Sequence, residues 1–147
     1  MFRTFVGIRV PPTPALRQLR ADLEEIGRPV RAEQEDKWHL TLKFLGDTDA
    51  ELIPAVAQIL SEVAAGYDEF LIDLHGLGVF PDLRRPSVVW VGIRTEGPLA
   101  EMAAGVEQRL AELGFPPERR KFHAHLTVAR IKGRAPRELV SYVTENE

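Results

Sequence analysis

Stretches of alternating apolar and polar residues take turns with stretches of helical period along this chain. Residues 2–10 (FRTFVGIRV) are rich in β-formers and stop at Pro11-Pro12, which predicts a strand ended by its prolines. Leu16, Leu19, Leu23 and Ile26 then recur at helical spacing, with Thr13 as N-cap, Pro14 as first helical residue and Gly27 as stop, so 13–27 is predicted helical. Residues 38–45 (WHLTLKFL) read as a strand. A second helix is expected over 49–65 through Leu52, Val56, Ile59, Leu60 and Val63, capped by Asp47 or Thr48 and ended by Gly66. Residues 69–75 alternate like a strand, 76–81 (GLGVFP) read as a loop, and 87–94 (SVVWVGIR) as a buried strand. A third helix covers 98–113, a last clear strand 121–131, and 136–143 begins a further helix.

The same plan of strand and helix is used twice. It implies a two-lobed α+β domain with a cleft between the lobes. In the strand at 38–45, Trp38, Leu40, Leu42 and Phe44 share one face and are expected to pack on a helix, while His39, Thr41 and Lys43 share the other. In the last strand Phe122, Ala124, Leu126 and Val128 are expected to face the core, and His123, His125 and Thr127 to face away. Such two-sidedness is ordinary for a half-buried sheet. The repetition of one polar pair is not: His39-Leu40-Thr41-Leu42 returns as His125-Leu126-Thr127-Val128. Each copy aims an imidazole and a hydroxyl from positions i and i+2, the same side of a strand.

At 147 residues, 44% hydrophobic and 28% charged, the chain is long enough for a core of its own. It has no cysteine, which excludes disulfides, a thiol nucleophile and thiolate metal sites. A net charge of −3 argues against a general nucleic-acid coat, so nucleic-acid contact should be local. Basic residues gather near the second motif (Arg119, Arg120, Lys121, Arg130, Lys132, Arg134), a run whose plain reading is a solvated surface. No membrane span and no signal peptide are expected, which leads to a cytoplasmic location.

Two histidines suit chemistry at a phosphodiester. With an ordinary pKa of about 6.5, one imidazole can take a proton while a second, protonated, gives one up. Threonine hydroxyls can donate to the non-bridging oxygens where charge develops. No metal and no cofactor are needed for this scheme. His123-x-His125 also suggests a metal pair, but no further ligand stands at a convincing spacing. A histidine triad would require His at 127, where Thr stands, and His75, before a glycine turn, reads as structural.

The chain resembles the two-histidine (2H) phosphoesterases, and within them the RNA 2′,3′-cyclic phosphodiesterases also called 2′-5′ RNA ligases. The resemblance runs through Phe2-Arg3-Thr4-Phe5-Val6, the segment from His39 to Gly46 (HLTLKFLG), Gly78-Val79-Phe80-Pro81, the strand with Trp90, and the segment from His125 to Arg130 (HLTVAR). It implies a bilobal α+β fold: two pseudo-symmetric lobes of antiparallel sheet with outer helices, the two motifs facing a central cleft. It implies hydrolysis of a terminal 2′,3′-cyclic phosphate to a 2′-phosphomonoester, with RNA ends or nucleotides bearing that group as partners. By analogy His39 is the proton donor to the leaving 3′-oxygen and His125 the proton acceptor that activates water. Thr41 and Thr127 hold the phosphate and Arg130 adds a cation, although strict alternation puts Arg130 on the face opposite His125. Joining of RNA halves through a 2′-5′ bond, and a non-catalytic module that binds RNA ends or nucleotides, are the alternative functions. Residues 1–147 are expected to form one two-lobed domain, short at its C-terminal end, since the family continues past the second motif with closing strands.

Overall fold

Thr13 caps the first helix as its sequence requires: its hydroxyl accepts a hydrogen bond from the Leu16 amide at 3.2 Å, Pro14 follows, and Gly27 ends the helix at φ 80°. In the computed structural model, which describes residues 1–94 and 97–147, this helix is α1 (Pro14–Ile26). The other elements are β1 (Phe2–Arg9), β2 (Val30–Ala32), β3 (His39–Thr48), α2 (Ile53–Ala64), β4 (Leu74–Phe80), β5 (Val88–Ile93), α3 (Gly97–Ala111), β6 (His125–Ile131) and α4 (Arg137–Glu145). Short 3₁₀ turns precede β3 and α2. This is the mixed α+β architecture that the pattern predicts, with the antiparallel strand pairs that the resemblance implies. Among the described residues, no helix is long and apolar enough to cross a membrane.

The chain divides into two compact units. Unit 1 is Met1–Ile8, Thr41–Ile72 and Thr95–Ala124. Here β1 is the neighbour of β3, and α2 and α3 close over a core of Val6, Leu42, Val56, Ile59, Val106 and Leu110. Unit 2 is Arg9–Leu40, Asp73–Arg94 and His125–Glu147. Its central strand is β6. Antiparallel β5 lies along one edge of β6, with β4 beyond it. On the other edge β2 pairs with residues 129–131 of β6, and the start of β3 meets it at Leu40↔Leu126. Beneath this sheet lie Leu16, Leu23, Leu139 and Val143 of α1 and α4, all buried. The two helices are also tied by Tyr142, whose hydroxyl donates to Asp22 Oδ2 at 2.7 Å.

Three expectations need correction. Residues 76–80 are not a loop: they are most of β4, and the expected strand at 69–73 is irregular. Of the glycines that suggested a loop, Gly78 serves packing, because it stands opposite Trp90 and a Cβ there would overlap the indole carbons Cζ2, Cη2 and Cε2, while Gly76, at φ 75°, sits where β4 slips register between His75 and Leu77. The last strand begins at His125, with residues 121–124 irregular. Strand β2 has too few residues to show a period and is held by its pairing with β6.

The fourth correction lies within β3. Alternation put Phe44 in the core and Lys43 outside, yet Phe44 is 66% exposed and Lys43 only 2%. After Leu42 the inside–outside order shifts by one residue. The buried ammonium is satisfied within unit 1: Lys43 forms an ion pair with Glu107 of α3 and donates to the Pro116 carbonyl at 2.9 Å. Burial of a charge is tolerated only on such terms. The second motif repeats the pattern. From His39 to Phe44, and again from His125 to Arg130, the order runs partly buried, buried, partly buried, buried, buried, exposed.

Candidate active site

The register of β6 against β5 decides which side chains share a face. Gly92 stands opposite His125 and Trp90 opposite Thr127, but Val89 stands opposite Ala129 and Val88 opposite Arg130. Between these pairs β6 spends one residue more than β5, a β-bulge at Val128. On the regular strand β5, residues 88, 90 and 92 point to one side. Their partners Arg130, Thr127 and His125 therefore point to that side too. The bulge brings Arg130 onto the face from which simple alternation excludes it. Burial agrees, since Val128 and Ala129 are both in the core and Arg130 is exposed.

The first motif joins this face through the Leu40↔Leu126 pair. Both leucines are fully buried, so His39 beside Leu40 stands on the opposite, outer side, the side of His125 and Thr127. Thr41, two residues on in the motif, belongs to unit 1. A polar contact orients the His39 ring: Nδ1 lies 2.7 Å from the Lys37 carbonyl oxygen. A carbonyl only accepts, so Nδ1 carries hydrogen and Nε2 is the nitrogen that gains or loses the working proton.

An aromatic wall encloses His125. The Phe80 ring meets it edge to face at 5.1 Å between centroids, and Trp90 lies 6.2 Å away. Phe80 and Trp90 also pack on each other at 5.3 Å. The wall depends on Gly78, whose missing side chain lets the indole lie across β4. Sequence reasoning assigned Phe80 and Trp90 no part in the site. The available signal was a glycine in one apolar run and a tryptophan in the next, which suit each other as cross-strand partners.

Arg130 Nε lies 3.9 Å from Glu33 Oε1, at the outer limit of an ion pair. A family model described as LigT-like phosphoesterase matches residues 6–90 and 91–147. The chain belongs to that family. Among LigT-like relatives, a curated RNA 2′,3′-cyclic phosphodiesterase of Aeropyrum pernix is 37% identical over 119 residues, covering 80% of this chain and 66% of its own. One from Archaeoglobus fulgidus is 39% identical over 107 residues, covering 73% and 59%. The chain thus spans about two thirds or less of the length of these relatives. Of solved structures, one from Thermus thermophilus superimposes with a TM-score of 0.77 at 27% identity, covering 92% of this chain and 78% of that one. LigT of E. coli complexed with 3′-AMP gives 0.63 at 26% identity, covering 91% and 75%.

One other candidate of this LigT-like chain shares the face just described: His75 stands opposite Gly92, as His125 does, and so points to the same side two strands away. His75 on β4 is met by Arg94, whose Nη2 is 2.6 Å from its Nδ1. His123 is exposed and precedes β6. Among the described residues, no three His, Cys, Asp or Glu side chains are grouped as a metal site would group them. The basic run divides: Arg119, Arg120 and Lys121 belong to unit 1, and Arg130, Lys132 and Arg134 to unit 2.

Proposed function

We propose that this chain hydrolyses the terminal 2′,3′-cyclic phosphate of RNA ends, leaving a 2′-phosphomonoester. The carrying observation is that His39, His125, Thr127 and Arg130 lie on one face of the unit 2 sheet, two proton carriers beside a hydroxyl and a cation. In this reading His125 takes a proton from water as the water oxygen bonds to phosphorus. The phosphorus–O3′ bond breaks, and His39 gives its Nε2 proton to O3′. Thr127 donates its hydroxyl hydrogen to a non-bridging oxygen. The Arg130 guanidinium offsets the phosphate charge. The Lys37 carbonyl keeps Nε2 of His39 as the reacting nitrogen. The names of the curated relatives support this substrate class, and 3′-AMP bound to E. coli LigT supports a nucleotide at the same fold. The proposal includes a cytoplasmic location, in keeping with a cysteine-free chain.

The test is turnover of 2′,3′-cyclic AMP from pH 5 to 9 with EDTA present, the product assigned as 2′- or 3′-AMP. The expected profile is bell-shaped and the product 2′-AMP. His39→Ala and His125→Ala should each lower the rate by about 10²–10⁴-fold, with circular dichroism unchanged. Turnover near the wild-type rate in either variant refutes the assignment.

A further inference from the structure

Strand β2 adds a second cation to the face of the proposed site. Its register against β6 sets Val30 opposite Ile131, Arg31 opposite Arg130 and Ala32 opposite Ala129. Val30, Ile131 and Ala129 are buried, so Arg31 and Arg130 both point outward, and the β5 register places Arg130 with Thr127 and His125. Directly opposed residues of an antiparallel pair hold their Cβ atoms about 5 Å apart, and like charges so placed repel. Among the described residues, the ion pairing here consists of Glu33 at 3.9 Å from Arg130, and no carboxylate pairs with Arg31. One distant carboxylate against two guanidinium groups leaves excess positive charge. That is a poor arrangement for stability and a good one for an anion.

We infer that Arg31, with Arg130, binds the phosphodiester on the 5′ side of the terminal nucleotide, so that the site prefers an RNA end to a free cyclic mononucleotide. The inference rests on the hydrolase reading above. Its geometry is that of the sheet. Arg31 lies about 10 Å along β6 from Thr127 and one strand spacing of about 4.8 Å across. Arg130 lies at the same level along β6, one strand nearer, so the two guanidinium groups form one cluster beyond Thr127 in which Arg130 is the nearer to a phosphate held there and Arg31 the farther. A ribose and its 5′ phosphate span the interval. The guanidinium fork suits a phosphodiester whatever its base, because it reads charge and oxygen geometry alone.

The test compares kcat/KM for the dinucleotide ApA ending in a 2′,3′-cyclic phosphate with that for 2′,3′-cyclic AMP, which lacks the second phosphate. In wild type the dinucleotide should be preferred. In Arg31→Gln the ratio of the two should fall about tenfold, the loss of one charge-assisted contact. Arg31→Lys should recover part of it, keeping charge without the fork. A ratio that stays at the wild-type value overturns the inference, whether both rates fall together or neither moves. Calorimetric binding of ApA 2′-phosphate and of 2′-AMP repeats the comparison without turnover. If wild type hydrolyses neither substrate yet Arg31→Gln weakens only the dinucleotide, the phosphate site stands and the hydrolase reading fails.

Discussion

Removing the carboxylate from Glu107 should destabilise this chain far more than removing the charge it faces. The Lys43 side chain is 1% exposed and that of Glu107 25%. Glu107→Ala would leave a buried ammonium with the Pro116 carbonyl at 2.9 Å as its remaining partner, and would strip the Glu118 amide of its acceptor at 3.0 Å. Breaking a buried ion pair from one side costs about 3–5 kcal/mol. The partial exposure of Glu107 puts the expected loss at the low end, about 3 kcal/mol. Lys43→Met instead deletes the buried charge and keeps most of the volume, while Glu107 still accepts from Glu118 and can turn to water, so its expected cost is about 1 kcal/mol or less. In the Lys43→Met background, Glu107→Ala should cost only the lost Glu118 contact, about 1 kcal/mol. The coupling is then about 2 kcal/mol, and the midpoint of thermal unfolding should fall by about 6–12 °C for Glu107→Ala alone. Urea titration and thermal melts of the four proteins give the cycle. A Glu107→Ala cost that is equal in the two backgrounds refutes the claim that Lys43 depends on this carboxylate.

Two further outcomes follow from the geometry. Gly78→Ala drives a methyl group into the Trp90 ring, so the indole must leave β4; we expect a loss of about 1–3 kcal/mol, an altered near-ultraviolet circular dichroism band, and reduced turnover because the wall around His125 is displaced, whereas native tryptophan signal and full activity would contradict the packing described. Tyr142 loses its proton only at about 12, raised by burial first and by the hydrogen bond to Asp22 second. An acid whose folded pKa is raised stabilises the fold fully below its ordinary value of about 10 and loses that contribution as pH climbs to about 12. Wild type should therefore exceed Tyr142→Phe in stability at pH 7–9, with the gap closing between pH 10 and 12 in urea titrations; a gap that is constant to pH 12 would exclude the linkage.

The sequence alone determines the elements that satisfy their own local rules. Helix α1 carries its cap, its proline and its terminal glycine within its own residues, and α2 and α3 bury the apolar stripes that their period displays. The doubled His-x-Thr word is equally local, because two residues separated by one on a strand share a side wherever the strand lies. Tertiary structure decides what a partner strand or a distant group imposes. Lys43 turns inward because a carboxylate 64 residues later receives it, and Phe44 is turned out as a consequence. Gly78 looks like part of a turn until Trp90, on the neighbouring strand, needs the space a side chain would fill. Arg130 reaches the face of His125 through a bulge visible only as a register shift against β5, and Arg31 reaches it through a three-residue strand whose sole definition is its pairing with β6. The physical reason is common to all four: periodicity reports the surroundings of a residue only while the strand stays in phase, and the phase of a strand is set by hydrogen bonds to a neighbour that the local sequence does not contain.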